Sequence, residues 1–422
     1  MRFVRHLQGI GSGAEYDVVA PMNLDPLDGR PVRMTLDIDA ILTAYPDQSW
    51  YQPQRKNMWR FGALLPIDCN DPVERDTIIS LGEGHTPLLD ASRLTMTKNW
   101  GLRLFIKDEG HPHDGFGENP THSFKDRGMA VVASMAKHYG LTRLAVPTQG
   151  NAGDSLCHYA RHAGMQVVVA MPKDTPLPIL GAVAAAATTD PAVTLELVEG
   201  TIREAGALLK DEYLPQGYFN CATFQEPGWR IEGKKTLGLE IAEALAGYQG
   251  WQLPDAIVYP TGGGTGILGM WKAFDELEAL GLIDSHRPRI YAVQSEVTDP
   301  VAQAMKTAKS DTTPQDAGST LAVGLNVPGG VGHFEVLNIL RASGGTALTV
   351  SEAEIAEYVS AIWSETGWWI CPEGAATLAA IPKLLDHGEL RQNETVVAVN
   401  TGSFEKYLPD VRHLVKGRPL SQ

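Results

Sequence analysis

Cysteine is scarce in this chain: Cys69, Cys157, Cys221 and Cys371 are the only four in 422 residues, far apart and without CxxC spacing. That pattern excludes a zinc knuckle and a dense disulfide scaffold, and it fits a reducing, cytoplasmic setting. Long hydrophobic runs are missing too. None reaches the roughly 18 residues needed to cross a bilayer, so no membrane partner is expected. The first residues, "MRFVRHLQGIGSG", hold no apolar stretch followed by small residues, and no secretory signal is expected. Positive charge is in deficit: 35 Lys and Arg against 50 Asp and Glu leave a net charge of −15. No basic patch offsets it, which argues against a nucleic-acid partner. There is no internal repeat, and the 43 Gly and 27 Pro follow no period, so they mark turns.

What the chain does have is apolar content, 43% against 20% charged, enough for two lobes with a sizeable core. From about residue 100, short Val/Ile/Leu-rich runs ("LRLFIK", "RLAVPT", "QVVVAM", "AIVYPT", "RIYAVQS", "ETVVAVN") alternate with longer helical stretches. Near-continuous apolar strands separated by helices predict an α/β fold, its mostly parallel sheets covered on both faces. In such sheets ligands sit beyond the carboxyl ends of strands, so the segments just after them are where chemistry is expected.

The first such segment is "IKDEGHPHDGFGENPTHSFKDRG". Ser123 or Thr121 is placed to cap the helix that follows, and Lys125 stands in its first turn. A helix N-terminus disfavours an ammonium ion. Two readings stand here: a solvated lysine paired with Asp126, or an amine whose pKa is lowered by the helix end and apolar Phe124. The second suits a nucleophile or base, as in a Schiff base to an aldehyde cofactor.

The second segment, "RLAVPTQGNAGDSLCHYARHAG", offers the amides of Thr148, Gln149, Gly150, Asn151 and Ala152 to a carboxylate or phosphate. Its alternative is a plain turn, with a helix starting near Gly153 and capped by Asp154. In the third, Gly262, Gly263, Gly264, Thr265 and Gly266 join a buried strand to a helix, a cradle for a phosphate. A dinucleotide site rivals it, because Gly264, Gly266 and Gly269 spell GxGxxG. The next strand, however, places its acid at Glu296, about 30 residues on where about 20 is expected.

Taken together, "NPTHSFKDRG", "TQGNAG" and "TGGGTG" resemble the lysine, asparagine and phosphate-loop motifs of the fold-type II pyridoxal-phosphate enzymes, of the tryptophan synthase β-like fold. "MWRFGALLPID", "LGEGHTPLL", "GWRIEGKKT", "CPEGAATLAA" and "NTGSFEKY" extend the likeness in order from about residue 55 to 415, most nearly to the threonine synthase family. The resemblance implies two lobes, each with a mostly parallel sheet: residues 61–129 with 226–422 as the large cofactor lobe, and 130–225 as a small mobile one. Residues 1–60 form an N-terminal extension. Its segment 9–32 resembles a ribbon in which Gly9, Ser12, Asp25 and Asp28 stand where zinc cysteines would be, so no metal is expected.

The same resemblance implies pyridoxal 5'-phosphate as cofactor, with Lys125 in the Schiff-base position beside Phe124 and the loop 262–266 on the cofactor phosphate. Asn151 is expected on the ring hydroxyl, Thr401 or else Ser403 at the ring nitrogen, and the 148–152 amides with Ser123 on the substrate carboxylate side. Arg230 offers a fork and Lys234 a point charge to a substrate phosphate ester. The alternative for that pair is an exposed, charged first helical turn. O-phospho-L-homoserine would then become L-threonine in a homodimeric enzyme; a dehydratase or β-replacement enzyme on threonine, serine or O-phosphoserine is the alternative. Two positions depart from the family pattern, His122 for glycine and Gln149 for serine. With no cysteine near His111, His113 and His122, a metal is not expected, and His122 is read as a substrate contact or proton carrier.

Overall fold

A computed structural model describes residues 1–366, 370–408 and 414 of the chain. Parts of the expected large lobe, 367–369, 409–413 and 415–422, lie outside the described residues. The N-terminal segment forms an antiparallel sheet of β1 (Val4–Gly9), β2 (Glu15–Tyr16) and β3 (Val32–Leu36) in the order β2-β1-β3. In the ribbon, Ser12 and Tyr16 hydroxyls donate to the Asp25 carboxylate, and Asp28 accepts from the Arg30 amide at 2.8 Å. Among the described residues no group of three or more His, Cys, Asp or Glu is arranged to hold a metal. Helices α1 (Ile38–Ala44) and α2 (Pro72–Arg75) follow, each capped by an aspartate, Asp37 and Asp71, accepting backbone amides.

Next come β4 (Leu88–Asp90), β5 (Arg103–Asp108) and α3 (Lys125–His138). An alternating stretch then runs β6 (Arg143–Pro147), α4 (Asn151–His162), β7 (Gln166–Pro172), α5 (Leu177–Thr189), β8 (Val193–Val198), α6 (Ile202–Leu208) and β9 (Phe219–Asn220). The chain continues through α7 (Trp229–Leu245), β10 (Ala256–Pro260), α8 (Thr265–Ala279) and β11 (Arg289–Ser295). It closes with α9 (Pro300–Lys306), α10 (His333–Ala342), β12 (Ala347–Val350), α11 (Glu352–Thr366), α12 (Pro372–Asp386) and β13 (Thr395–Asn400).

Two further sheets result. The larger has the order β12-β11-β10-β13-β5-β4, parallel except for β4, and the smaller is all-parallel in the order β8-β7-β6-β9. Every residue of β10 and β13 is buried, because helices cover both faces. Burying each Val or Ile there contributes roughly 1.5–3 kcal/mol. The smaller sheet lies wholly within residues 130–225, but the boundary expected at 129/130 falls inside α3, and the one at 60/61 inside the 3-10 turn Met58–Leu64.

One cluster of buried charge is paired within itself. The Arg127 guanidinium reaches Glu109 and Glu240, each at 2.6 Å, and Lys107 reaches Glu240 at 2.8 Å, all four groups being inaccessible to water. This quartet ties α3 and α7 to the end of β5. Removing one partner strands the others in a low-dielectric interior. Arg127→Met is expected to lower unfolding stability by about 3–5 kcal/mol in chemical denaturation, and a loss under about 1 kcal/mol would contradict it.

Candidate active site

The carboxyl ends of β6, β10 and β13 face a cavity of about 600 Å³ between the two sheets. Phe124, Lys125, the run Thr148 to Ala152, Arg230, Lys234, the run Gly262 to Thr265, and Thr401 all line it. Segments separated by up to 277 positions thus meet at one place, as the order of strands in each sheet requires.

Lys125 opens α3, and its amine lies 4.3 Å from the Phe124 ring centroid. Asp126 does not neutralise it. That carboxylate turns the other way, accepting from the Thr121 amide and hydroxyl, each at 2.7 Å, and from Ser155 at 2.5 Å. The reading of Lys125 as a solvated lysine paired with Asp126 is therefore set aside. Burial pushes the Lys125 amine down to about 8; the Arg230 charge acts in the same direction, while Glu373 and Cys371 oppose it. An amine of this pKa is free base in an appreciable fraction at neutral pH.

Lys234 is more deeply enclosed. Its amine donates to the Phe124 carbonyl and lies 3.4 Å from the centroid of the same ring, with burial and then Lys125 holding its pKa well below the ordinary lysine value. Arg230 donates through Nη1 to Thr223 at 2.9 Å and through Nη2 to the Cys221 carbonyl, while its buried Nε has no hydrogen-bond partner. All but the last two residues of α7 are buried, so "RIEGKK" is not an exposed first turn.

The asparagine loop differs from its plain-turn reading. Helix α4 begins at Asn151, two residues before Gly153, and Asp154 caps nothing: it holds Lys406 and His158. Asn151 donates to the Tyr407 hydroxyl at 3.5 Å, and its buried Oδ1 has no partner. Gln149 reaches out of the loop to the Asn326 carbonyl at 2.6 Å, bridging the small-sheet side to the segment before α10.

In the glycine loop, Gly264 at φ +83° caps α8, a left-handed conformation that favours glycine. Gly266 is not part of the cavity wall. A Cβ there would come within 1.9 Å of the Tyr259 hydroxyl, so it is glycine for helix–strand contact.

Beyond Gly266, three further expected placements fail. His122 is exposed and does not line the cavity, because a tight turn, closed by its amide to the Asn119 carbonyl at 2.8 Å with φ +55°, holds it outside. Ser123 is buried behind the wall, paired with Gly402, and accepts the Lys125 amide at 3.3 Å. It supports Lys125 without facing a substrate, and α3 has no side-chain cap from Thr121. Ser403 bonds Glu405 and is not in the lining, which leaves Thr401 as the hydroxyl on the cavity. His111 and His113 flank the buried Asp108 at 3.4 and 2.8 Å and hold its carboxyl low.

Two lining residues carried no role in the sequence reading, although their motifs were visible. Glu373 accepts the Gly324 amide at 2.7 Å through Oε1, its Oε2 has no partner, and burial pushes its carboxyl up. Tyr407 sits buried beside it and Asn151. Since Glu373 counters the fall of the Lys125 pKa, Glu373→Gln is expected to move that amine below 8. The pH profile of amine labelling in cofactor-stripped protein measures this; a shift upward would refute it.

A lysine held near its free base, a glycine loop on a helix N-terminus, and an unpaired buried amide oxygen in one cavity suit a phosphorylated aldehyde. The model of the pyridoxal-phosphate dependent enzyme family matches residues 79–402, and the chain belongs to that family. Over 404 residues it is 32% identical to the threonine synthase of Methanosarcina acetivorans, covering 95% of this chain and 92% of the relative. With the threonine synthase of Methanocaldococcus jannaschii it shares 30% identity over 82% of this chain and 79% of that one. Among solved structures, the processed form of threonine deaminase isoform 2 from Solanum lycopersicum superposes with a TM-score of 0.61 at 21% identity, covering 82% of this chain and 90% of that one. Diaminopropionate ammonia lyase from Escherichia coli gives 0.63 at 16% identity, over 81% and 89%. At those identities the two structures share the fold.

The residues present fit pyridoxal phosphate. Lys125 offers the amine for its aldehyde, the 262–265 amides and the α8 N-terminus a seat for its phosphate, and Asn151 Oδ1 a buried acceptor for a hydroxyl.

Proposed function

We propose that this chain is a threonine synthase, converting O-phospho-L-homoserine and water to L-threonine and phosphate. The observation that carries this reading is the unpartnered Arg230 Nε, buried with Lys234 on the wall that also bears the Lys125 amine. A guanidinium and an amine within one cavity suit a substrate phosphate ester, and the naming of the aligned relatives supports the same choice.

Bound pyridoxal phosphate supplies an electron sink for the carbanionic charge that develops on the substrate. Lys125 would hold the cofactor through its aldehyde, and its Nζ, free when substrate is bound, removes the proton at Cα, then at Cβ, and returns protons at Cγ and Cα. The 148–152 amides orient the substrate carboxylate. Arg230 and Lys234 hold the phosphate at Cγ while the C–O bond breaks, and a water then adds at Cβ. Asn151 would hold the ring hydroxyl, and Thr401, a neutral hydroxyl, would partner the ring nitrogen without forcing a charge on it. The small lobe, built on the sheet β6 to β9, closes with Gln149 over the cavity to exclude bulk water, in a homodimeric enzyme of the cytoplasm.

The test is to supply purified protein with O-phospho-L-homoserine, O-phosphoserine, threonine and serine, and to measure phosphate, ammonia and new amino acid. Equal amounts of phosphate and threonine from the first substrate are expected. Ammonia from threonine or serine, with no phosphate released from either ester, would replace the synthase reading with a dehydratase.

A further inference from the structure

His333 opens α10 and is fully buried, yet it lies outside the cavity wall. Its ring joins three segments. Nε2 is 2.9 Å from the Gly262 carbonyl, while Nδ1 is 3.2 Å from the Gly330 amide and 3.1 Å from the Thr312 hydroxyl. A carbonyl only accepts and an amide only donates. Nε2 must therefore carry the hydrogen and Nδ1 must be bare, which assigns the neutral Nε2–H tautomer from its partners. In a planar trans peptide the C=O and the following N–H point in opposite directions. Tying the Gly262 carbonyl to His333 thus turns the Gly263 N–H away from the imidazole, on the side where Gly263 lines the cavity.

We propose that His333 is a positioning residue for the phosphate loop: its imidazole fixes the Gly262–Gly263 peptide so that the Gly263 amide meets the cofactor phosphate. The inference rests on the reading that 262–265 holds that phosphate. A protonated Nδ1 would set a donor against the Gly330 N–H and forfeit that tether, while Nε2–H keeps its bond to the Gly262 carbonyl. Asp311 is the ionisable neighbour whose charge reaches the ring; it is in turn paired with Arg30 at 3.5 Å, which stacks on Phe334 at 4.2 Å. Glu335 on the same helix accepts from Asn338, and Lys306 on α9 is exposed. Burial, opposed by the Gly262 carbonyl and Asp311, holds the imidazole below its ordinary value near 6.5. The neutral form therefore persists at neutral pH, where both tethers are made.

Pyridoxine 5'-phosphate is the probe, because it carries the phosphate and the ring but no aldehyde and so binds without a bond to Lys125. Its dissociation constant for the cofactor-stripped full chain is measured at pH 7.5 in wild type, His333→Gln and His333→Ala. His333→Gln keeps an N–H for Gly262 and should bind within about threefold of wild type. His333→Ala leaves that carbonyl unpaired and should bind about 5- to 100-fold more weakly at pH 7.5. If the alanine variant fails to fold by circular dichroism, His333→Leu, which also lacks the N–H, takes its place. An alanine or leucine variant within twofold of wild type, or a glutamine variant as weak as either, overturns the proposal. Wild type that does not bind the probe overturns instead the phosphate-loop reading beneath it.

Discussion

Lys125→Ala is expected to lower turnover of O-phospho-L-homoserine by at least about 10³-fold, since one nitrogen serves as cofactor anchor and as base at successive carbons. Thermal stability should hardly change, because the lysine amine makes no hydrogen bond or ion pair that the fold depends on, and Asp126 is tied to Thr121 and Ser155. Cofactor should still bind, more weakly, through the glycine loop and Asn151. Absorbance spectra before and after borohydride distinguish the two modes: wild type is fixed by reduction, the variant is not. A variant that keeps near-normal turnover would remove the basis of the mechanism.

Arg230→Ala is expected to cost about 10²- to 10³-fold in kcat/KM for the phosphate ester, the loss of a desolvated charge-assisted contact. The same change should raise the Lys125 pKa, because the guanidinium is the charged neighbour that pushes it down. The acid limb of the pH–rate profile would then move to higher pH. Arg230 also binds the Cys221 carbonyl and Thr223, so part of the effect is structural. Arg230→Lys separates the parts: it restores charge but not the fork, and should recover the pKa of Lys125 more fully than it recovers KM. Equal losses on phosphorylated and unphosphorylated substrates would show that Arg230 does not contact the ester.

The parallel sheets and the three strand-end loops were legible because their signals are local: continuous apolar runs, glycines before a helix, a lysine where a helix disfavours one. What escaped reading was whatever depends on distant partners. Nothing in "CPEGAATLAA" indicates that Glu373 meets the Gly324 amide and faces Lys125, since those contacts form only when β13 inserts between β10 and β5. His122 was misread because chemistry next to a lysine suggests a role, whereas a left-handed turn decides which way the side chain leaves. The start of α4 was displaced because Asp154 is a good cap by type, and its salt bridge to Lys406 lies 252 residues away.

The run Lys125-Asp126-Arg127 has each side chain committed to a different destination: the cavity, the Thr121–Ser155 pair, and the Glu109–Glu240 pair. Successive residues on a helix are rotated by about 100°, so losing one residue just before this run would put the aspartate in the reactive amine's place, and gaining one would put it in the seat of the guanidinium. The segment behaves like a key cut for three wards: a substitution empties one of them, whereas a frame slip misfits all three, and insertions in this protein should be found in the 110–118 loop and never between Thr121 and Arg127.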